Sequence, residues 1–554
     1  MKSRSSILIF LCMTLFFCQI HAQNQKGYPK PKLVVGVIID QMRWDYMYRL
    51  YNRYGDTGFK RLLNEGFSFE NCLLPYIPSV TAIGHSTVYT GSVPSIHGIC
   101  GNDFIDQATG KSIYCTQDPA VKAIGINPES VTGKMSPNNL KVTTVTDQLR
   151  YASNFRSKVI GVALKDRGSI LPAGHAATAA YWYDSKQGKW ITSSYYMDKL
   201  PQWLTDYNDK NMPAKYLSQD WKLSYPINTY TESPDPKTVG RYEGGFTGYP
   251  VPNLPMKTSE MMKTLGVDLL QNTPYGNDIT VDVAELAVEN ENLGHNPSGN
   301  PDFLAVSFSS PDKMAHQYSI NTILTEDAYI KLDKTLGDFF SYLDQKVGKG
   351  NYVLFLTADH AGTPNALFMN DHKLPGATWD LALHLGQLND TLSVKYGRKD
   401  LVRSLENYQI NFNYQAIAEA KIDINALKKD CIGIMENVKG VLYAVDMKNV
   451  EQETIPRDLK EMIVNAYNRK YCGEIQIVME PGVYERDSPK GGTHGIWSPD
   501  DTHIPFVMMG WGVPHGSTSE KVFMTDIAPT VAAMLHIQMP NGCIGTARDY
   551  MFKK

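Results

Sequence analysis

Two Asp–His pairs in this 554-residue chain have the spacing of metal ligands. Asp312 and His316 are four residues apart, which places both side chains on one face of a helix. Asp359 and His360 are adjacent and follow the apolar run from Tyr352 to Thr357, so they mark the end of a buried strand. Taken singly, each pair is more often a surface ion pair than a ligand pair.

Two further residues complete a set of six candidate ligands. Asp40 follows the apolar run from Leu33 to Ile39, and His494 lies in the glycine-rich segment GGTHG. Alone, the first could cap a helix and the second could belong to a flexible turn. Six carboxylate and imidazole ligands are enough for two zinc or similar divalent ions with open coordination positions. Two ions about 3.5–4 Å apart can stabilise the attacking and leaving oxygens of an in-line phosphoryl displacement.

A hydroxyl nucleophile would complete such a site. The segment PSVTAIGH, residues 78–85, enters a predicted helix that runs to about Tyr89. A hydroxyl at the N-terminus of this helix lies near the positive end of the helix dipole and near unpaired N–H groups, which favour an alkoxide. These arguments do not distinguish Ser79, Thr81 and Ser86, and Thr81 or Ser79 could instead cap the helix.

Phosphoryl transfer also needs donors for the oxygens that are not exchanged. Lys165 and Arg167 follow the apolar run from Val159 to Leu164 and lie two residues apart, so an extended chain would point them the same way. Asn102 is a candidate amide donor. A lone cation is usually a solvated surface charge, but two cations that close an apolar run are less usual.

Short apolar runs, each followed by polar residues, position most of these side chains. Runs of five to eight apolar residues are typical of strands buried on both faces of a parallel sheet. Helical periodicity lies between them, around residues 281–292 and 326–346. The alternation predicts an α/β fold with a doubly wound, mostly parallel sheet, in which ligands bind at the carboxyl ends of the strands. The predicted strands cover residues 33–39, 159–164, 303–308, 352–357 and 504–509.

Two stretches break this alternation. Residues from about 181 to 255 are rich in Tyr, Trp and Pro without a clear period, and residues from about 368 to 485 contain their own helical and strand-like pieces. We interpret both as insertions, packed as a cap or as flanking subdomains, in a single catalytic domain that spans residues 23–554.

Composition mainly excludes classes of protein. The 54 basic and 57 acidic residues give a formal net charge of −3, which argues against nucleic acid as a specific partner. An apolar fraction of 42% and a charged fraction of 20% exclude wholesale disorder. We expect small-molecule partners, and a monomer is favoured.

Residues 1–22 have the pattern of a secretory signal peptide. Lys2 and Arg4 precede the apolar run from Ile7 to Phe17, and IHA at residues 20–22 is typical of a cleavage site. This run is shorter than the about 20 residues of a membrane helix, so we expect an exported protein, periplasmic or secreted, without a stable membrane span. Six cysteines remain after cleavage, and none lies in a CxxC motif, which favours disulfides or buried thiols over a thiolate metal site. They are Cys72, Cys100, Cys115, Cys431, Cys472 and Cys543.

With these residues assembled, the chain resembles the alkaline phosphatase superfamily and, within it, the PafA-type periplasmic alkaline phosphatases. The similar segments include VVGVIIDQMRWDY from residue 34, PSVTAIGHSTVYTG from residue 78, ALKDRGS from residue 163, SPDKMAHQYS from residue 310, FLTADHAG from residue 355 and GGTHGIWSPDD from residue 491. They span nearly the whole mature chain in the expected order.

The resemblance implies an alkaline-phosphatase-like core with two zinc ions and a covalent phosphothreonine on Thr81. The ligands of one zinc would be Asp312, His316 and His494. The ligands of the other would be Asp40, Asp359, His360 and Thr81. The groups that bind the phosphoryl oxygens would be Asn102, Lys165 and Arg167. Four other histidines have no ligand role in this pattern and are expected to be structural: His85, His97, His175 and His503.

The implied function is hydrolysis of phosphate monoesters with broad specificity by a secreted or periplasmic alkaline phosphatase. The nearest alternative is a phosphodiesterase or nucleotide pyrophosphatase of the same superfamily. Lys165 and Arg167 favour the first function, because two cations match the dianion of a monoester. An alternative of another class is a catalytically inactive protein that binds glycans or other ligands, which an intact set of buried ligands disfavours, since unused buried polar groups destabilise a fold.

Overall fold

The computed structural model describes residues 28–252 and 254–552, and the expected signal peptide lies outside them. Its strands are β1 (Leu33–Ile39), β2 (Phe67–Leu73), β3 (Asp103–Asp106), β4 (Lys111–Tyr114), β5 (Ala123–Ile124), β6 (Val159–Ala163), β7 (Ala179–Asp184), β8 (Lys189–Ser193), β9 (Asp302–Phe308), β10 (Tyr352–Thr357), β11 (Ala377–Trp379), β12 (Val402–Ser404), β13 (Gln409–Phe412), β14 (Val441–Asp446), β15 (Ile475–Met479), β16 (Val483–Glu485), β17 (His503–Ile504), β18 (Phe506–Gly510) and β19 (Gly516–Phe523). Its α-helices are Tyr46–Arg49, Phe59–Glu65, Thr81–Thr90, Pro94–His97, Val145–Ala152, Asp166–Ala173, Gln202–Asp209, Met212–Leu217, Thr258–Leu265, Tyr275–Asn290, Ser310–Tyr318, Ile323–Leu343, Ala366–Asp371, Leu381–Tyr396, Tyr414–Glu419, Ile424–Met435, Arg457–Ala466, Pro499–Thr502 and Ile527–Leu535.

A parallel core with antiparallel flanks forms the central sheet of 11 strands. The core order is β10-β1-β9-β6-β7, and Leu33 lies opposite Tyr352 on one side and Asp302 on the other. Every residue of β1, β9 and β10 is buried, as the continuous apolar runs predict. The expected α/β fold with a mostly parallel central sheet is confirmed. The strand predicted at residues 504–509 is an exception to the parallel order, because β18 pairs antiparallel with β10.

The predicted helices lie where the periodicity indicates. The helix expected around residues 281–292 is Tyr275–Asn290, and it packs against β9. The one expected from residue 326 is Ile323–Leu343, whose face of Leu332, Leu336 and Phe339 is buried in the main core. Apolar side chains that recur every three or four residues therefore seat these helices against the rest of the core.

The two irregular stretches differ in structure. Strands β7 and β8 pair with each other and β7 pairs with β6, so residues 181–193 belong to the central sheet rather than to the first insertion. The second stretch holds a four-stranded sheet, β12-β13-β15-β14, with its own buried apolar cluster between Ala366 and Ile496. That cluster is separate from the main core, which is what an inserted subdomain requires.

The six cysteines of the described chain are free thiols, and all except the half-buried Cys543 are buried. Of the two alternatives that the sequence left open for these six cysteines, the structure shows thiols rather than disulfides. Within residues 28–252 and 254–552 no helix combines the length and the apolar character that a membrane crossing requires.

Candidate active site

Neighbouring parallel strands carry the candidate ligands to one edge of the sheet. Asp40 directly follows β1, and Asp359 and His360 are the second and third residues after the end of β10. Strand β9 leads into helix Ser310–Tyr318, which bears Asp312 and His316. Because the carboxyl ends of parallel strands share an edge, these side chains converge there, as the fold class predicts.

The six candidate ligands form two groups of three. The inner group, Asp40, Asp359 and His360, is fully buried, with 0% exposure of each residue. The outer group, Asp312, His316 and His494, is more open, since the His316 side chain is 35% exposed. Within each group the potential ligand atoms lie within 4.8 Å of one another. The two groups touch where the rings of His360 and His494 stack at 3.6 Å.

Backbone carbonyls orient all three histidines of these groups. Nδ1 of His316 lies 3.0 Å from the carbonyl oxygen of Gly492, and Nδ1 of His494 lies 2.6 Å from that of Ser79. Nδ1 of His360 lies 3.0 Å from the carbonyl oxygen of Ala361. A carbonyl oxygen only accepts, so each Nδ1 carries a proton, and Nε2 is the nitrogen that faces the carboxylates. This arrangement is the usual one for histidines that bind a metal ion.

The residues of both groups fit a divalent cation. Oδ1 of Asp40 and Oδ2 of Asp359 are buried without a hydrogen-bond partner, an unfavourable state for a carboxylate oxygen. Burial lowers the pKa of His360 to about 3, which keeps its imidazole in the neutral form that ligates. Mixed carboxylate and imidazole donors suit zinc better than magnesium or calcium.

Lys165 links the two groups through ion pairs. Its Nζ lies 2.6 Å from Oδ2 of Asp40 and 2.6 Å from Oδ2 of Asp312, one carboxylate from each group. Burial opposes the charged form, but these two carboxylates raise the pKa of Lys165 above its ordinary value. The side chain expected on the phosphoryl oxygens is therefore also a bridge between candidate ligands.

Among the three hydroxyls that the sequence leaves open, that of Thr81 faces the candidate ligands. Thr81 is the first residue of helix Thr81–Thr90, and no side chain caps this helix. Its Oγ1 lies 3.5 Å from Nε2 of His360 and 3.4 Å from Nζ of Lys165. The Ser79 hydroxyl instead donates to the carbonyl of Ile496 at 2.9 Å, while Ser86 lies further along the helix.

Asn102 and Arg167 are anchored beside this helix. The side-chain oxygen of Asn102 accepts a hydrogen bond from the backbone N–H of Ala82 at 3.0 Å, so its two N–H bonds are the ones it can offer to a ligand. Nη1 of Arg167 lies 3.0 Å from the hydroxyl of Tyr114, which holds the guanidinium. An amide therefore bonds to the first turn of helix Thr81–Thr90, and a cation lies in helix Asp166–Ala173, which packs against that helix.

Two residues near the site have contacts that spacing alone did not indicate. His85 lies one turn after Thr81, and its Nδ1 is 3.3 Å from Oδ2 of Asp359, while its Nε2 contacts the Ser307 hydroxyl at 2.8 Å. The backbone N–H of Gln41 donates to Oδ1 of Asp359 at 3.1 Å. His85 was expected to be structural. Its position four residues after Thr81 in the sequence PSVTAIGH is the signal that could have indicated its contacts with the site.

Comparison with known proteins gives close relatives along nearly the full chain. A Myroides odoratus protein named calcium-transporting ATPase is 49% identical over 99% of this chain and 98% of its own length. The alkaline phosphatase PhoV of Synechococcus elongatus is 48% identical, covering 97% of this chain and 98% of its own. The alkaline phosphatase PafA of Elizabethkingia meningoseptica is 43% identical over 95% of each chain.

Solved structures of PafA superpose closely on this chain. The wild-type crystal structure has a TM-score of 0.91 at 42% identity, covering 95% of this chain and all of that one. A PafA variant with one threonine changed to serine and with one asparagine, one lysine and one arginine changed to alanine has a TM-score of 0.90. The family model for type I phosphodiesterases and nucleotide pyrophosphatases matches residues 34–500. The chain therefore belongs to this family, within the alkaline phosphatase superfamily.

Proposed function

We propose that this protein is an exported alkaline phosphatase that hydrolyses phosphate monoesters at a two-zinc site, with Thr81 as the nucleophile. The observation that carries this proposal is the position of the Thr81 hydroxyl, between His360 of the inner group and the ammonium of Lys165. The relatives PhoV and PafA, which are named alkaline phosphatases, support the same reaction class.

The outer group would hold one zinc ion, and the inner group together with Thr81 would hold the other. Zinc supplies positive charge that lowers the pKa of a neighbouring hydroxyl and stabilises the negative charge that develops on the reacting oxygens. The unpartnered oxygens of Asp40 and Asp359 support this assignment, because a bound cation would satisfy both.

Thr81 carries out the covalent step. Its Oγ1 loses a proton and attacks phosphorus opposite the leaving oxygen, and the bond from phosphorus to that oxygen breaks. The helix that begins at Thr81 contributes its N-terminal N–H groups, which stabilise negative charge. The leaving oxygen takes up a proton from solvent, which balances the one lost from Thr81. Water then attacks the phosphothreonine, the bond from phosphorus to Oγ1 breaks, and Oγ1 regains a proton from the attacking water. Two successive in-line attacks predict retention of configuration at phosphorus.

Asn102, Lys165 and Arg167 would bind the phosphoryl oxygens. Lys165 and Arg167 bring two positive charges, which match the two negative charges of a monoester and exceed the single charge of a diester. The solved PafA variant has one threonine, one asparagine, one lysine and one arginine substituted together, and this chain has these residue types at its four proposed positions.

A phosphodiesterase or nucleotide pyrophosphatase is the second candidate, because the matching family is described by those activities. The test compares kcat/KM for p-nitrophenyl phosphate and bis-p-nitrophenyl phosphate on zinc-loaded protein. We expect the monoester to be favoured by about 10-fold or more, since a diester lacks one of the two negative charges and one charge-assisted contact of about 1.5 kcal/mol corresponds to that ratio.

The variant Lys165→Ala/Arg167→Ala sharpens this test. We expect its monoester kcat/KM to fall by about 100-fold or more and its diester kcat/KM by less than about 10-fold. Lys158→Ala is the matched control. Lys158 directly precedes β6, at the end of the strand away from Lys165, and it pairs with Glu291 at 3.1 Å. A wild type that prefers the diester, or equal losses on both substrates, would contradict the monoester assignment.

A further inference from the structure

Asp501 is a buried carboxylate to which several parts of the candidate site are bonded. It lies in the short helix Pro499–Thr502 and is 0% exposed. Its Oδ2 accepts hydrogen bonds from the backbone N–H groups of Gly495 at 2.7 Å and Ile496 at 2.8 Å. Its Oδ1 accepts one from the hydroxyl of Thr363 at 2.6 Å. The first two donors directly follow His494 of the outer group.

The same residue fixes the segment that carries the inner group. The backbone N–H of Ala361, which follows His360, donates to the carbonyl of Asp501 at 2.8 Å. Thr363, bonded to the Asp501 carboxylate, also donates its own backbone N–H to the carbonyl of Thr493 at 3.1 Å. The segments of the inner and outer groups are therefore joined both directly and through Asp501.

The third segment is the one that leads to Thr81. The Ser79 hydroxyl lies 3.3 Å from Oδ2 of Asp501 and donates to the carbonyl of Ile496. The carbonyl of Ser79 in turn accepts from Nδ1 of His494 at 2.6 Å. A shift of the Asp501 carboxylate would thus displace the segment before Thr81 together with the loop of His494.

We propose that Asp501 is a positioning residue that sets the separation between the inner group, the outer group and Thr81. The carboxylate is suited to this task because it only accepts hydrogen bonds, and the donors around it come from three segments. An amide in its place would direct N–H bonds at N–H and O–H donors. The proposal rests on the proposed function, since it concerns the metal ions and the nucleophile of that site.

The test measures zinc affinity, by competition with a chromogenic chelator, and steady-state kinetics for Asp501→Asn. We expect zinc affinity to fall about 10- to 100-fold, as it does when groups that orient metal ligands are changed. We expect kcat to fall at least about 10-fold with KM changed less than about 3-fold. The substitution should disturb the positions of the ligands and of Thr81, whereas the residues that bind the phosphoryl group should stay in place.

Asp302→Asn is the matched control. Asp302 is equally buried and accepts hydrogen bonds from the backbone N–H groups of Lys158 and Gly294, but it lies at the start of β9, at the opposite edge of the sheet. It should lower the melting temperature while zinc affinity and kcat stay within about 2-fold of wild type. If Asp501→Asn behaves like Asp302→Asn, Asp501 is a structural residue only and the proposal is overturned.

Thr363→Val and Thr363→Ser decide the question even if Asp501→Asn does not fold. Valine removes the hydrogen bond to Asp501 at nearly constant volume, whereas serine retains it. We expect the valine variant to lose zinc affinity and kcat in the same direction as Asp501→Asn, and the serine variant to stay near wild type. Equal values for the two variants would overturn the proposal. A wild-type protein without zinc-dependent monoesterase activity would instead refute the proposed function, so the two failures are distinguishable.

Discussion

The inner and outer groups contain the same kinds of ligand but are built differently. The inner group comes from residues that follow two paired strands, β1 and β10, and none of its residues is exposed. The outer group comes from helix Ser310–Tyr318 and from the loop of His494, and His316 remains 35% exposed. The hydrogen-bonded ladder of the sheet fixes the first group, whereas the second depends on how a helix and a loop pack together. We infer that the inner group is the rigid part of the site and the outer group the adaptable part.

The difference between the two groups should be greatest at Thr81, whose hydroxyl lies 3.5 Å from His360 of the inner group. We expect Thr81→Ala to reduce kcat by about 10⁴-fold or more, the usual scale for loss of a nucleophile. Acid-quenched turnover of p-nitrophenyl phosphate, followed by peptide mass spectrometry, should find phosphate on Thr81 in the wild type and on no residue of the variant. Ser79→Ala is the control, and it should keep the phosphothreonine. Phosphate found on Ser79, or turnover that survives Thr81→Ala, would remove the special role of the inner group.

The two groups should release zinc to a chelator at different rates. Because His316 of the outer group is 35% exposed whereas every residue of the inner group is fully buried, we expect excess chelator to withdraw zinc in two phases that differ about 10-fold or more in rate. His316→Ala should accelerate only the fast phase and His360→Ala only the slow one. Zinc released to a colorimetric chelator under stopped flow gives both rates. Release in a single phase that both variants change equally would show that the groups act as one.

A smaller effect, on stability, is expected when either of two glycines that pack against the inner and outer groups is changed to alanine. A Cβ on Gly84, in the helix of Thr81, would lie 2.2 Å from the backbone oxygen of Asp359, whereas one on Gly492 would lie 2.9 Å from that of Ala315. Gly84→Ala should therefore lower the free energy of unfolding by about 1–3 kcal/mol, and Gly492→Ala by less. Urea unfolding of the zinc-free proteins measures both. An equal loss would mean that the inner group is no more tightly packed than the outer one.

The sequence predicts the inner group better than its surroundings, for a physical reason. Strands buried on both faces show as continuous apolar runs, and their carboxyl ends must share an edge, so Asp40 and Asp359 could be brought together from sequence alone. An apolar run carries no direction, so the antiparallel course of β18 could not be predicted. The strands β7 and β8 could not be predicted either, because they lie largely in a stretch rich in aromatic residues that shows no clear period.

Contacts between distant segments were beyond the reach of spacing arguments. The role of Asp501 depends on donors from Thr363 and Ser79, and nothing in the local sequence SPDD indicates them. The ion pairs of Lys165 with Asp40 and Asp312 are of the same kind. A single sequence shows which residue types are present, but contacts between segments more than 100 residues apart follow only from the folded chain.

The hydrogen bond between His494 and Ser79 also constrains when the site can form. It joins residues 415 positions apart, so the loop of the outer group cannot be fixed until almost the whole chain has been synthesised. Closing such a long loop is slow compared with forming local helices or neighbouring strands. A chain that ends before residue 494 can pair β1 with β9 and β10, since these strands precede that residue, but it cannot complete the outer group. The outer group of candidate ligands can thus assemble only after the chain has been synthesised as far as His494.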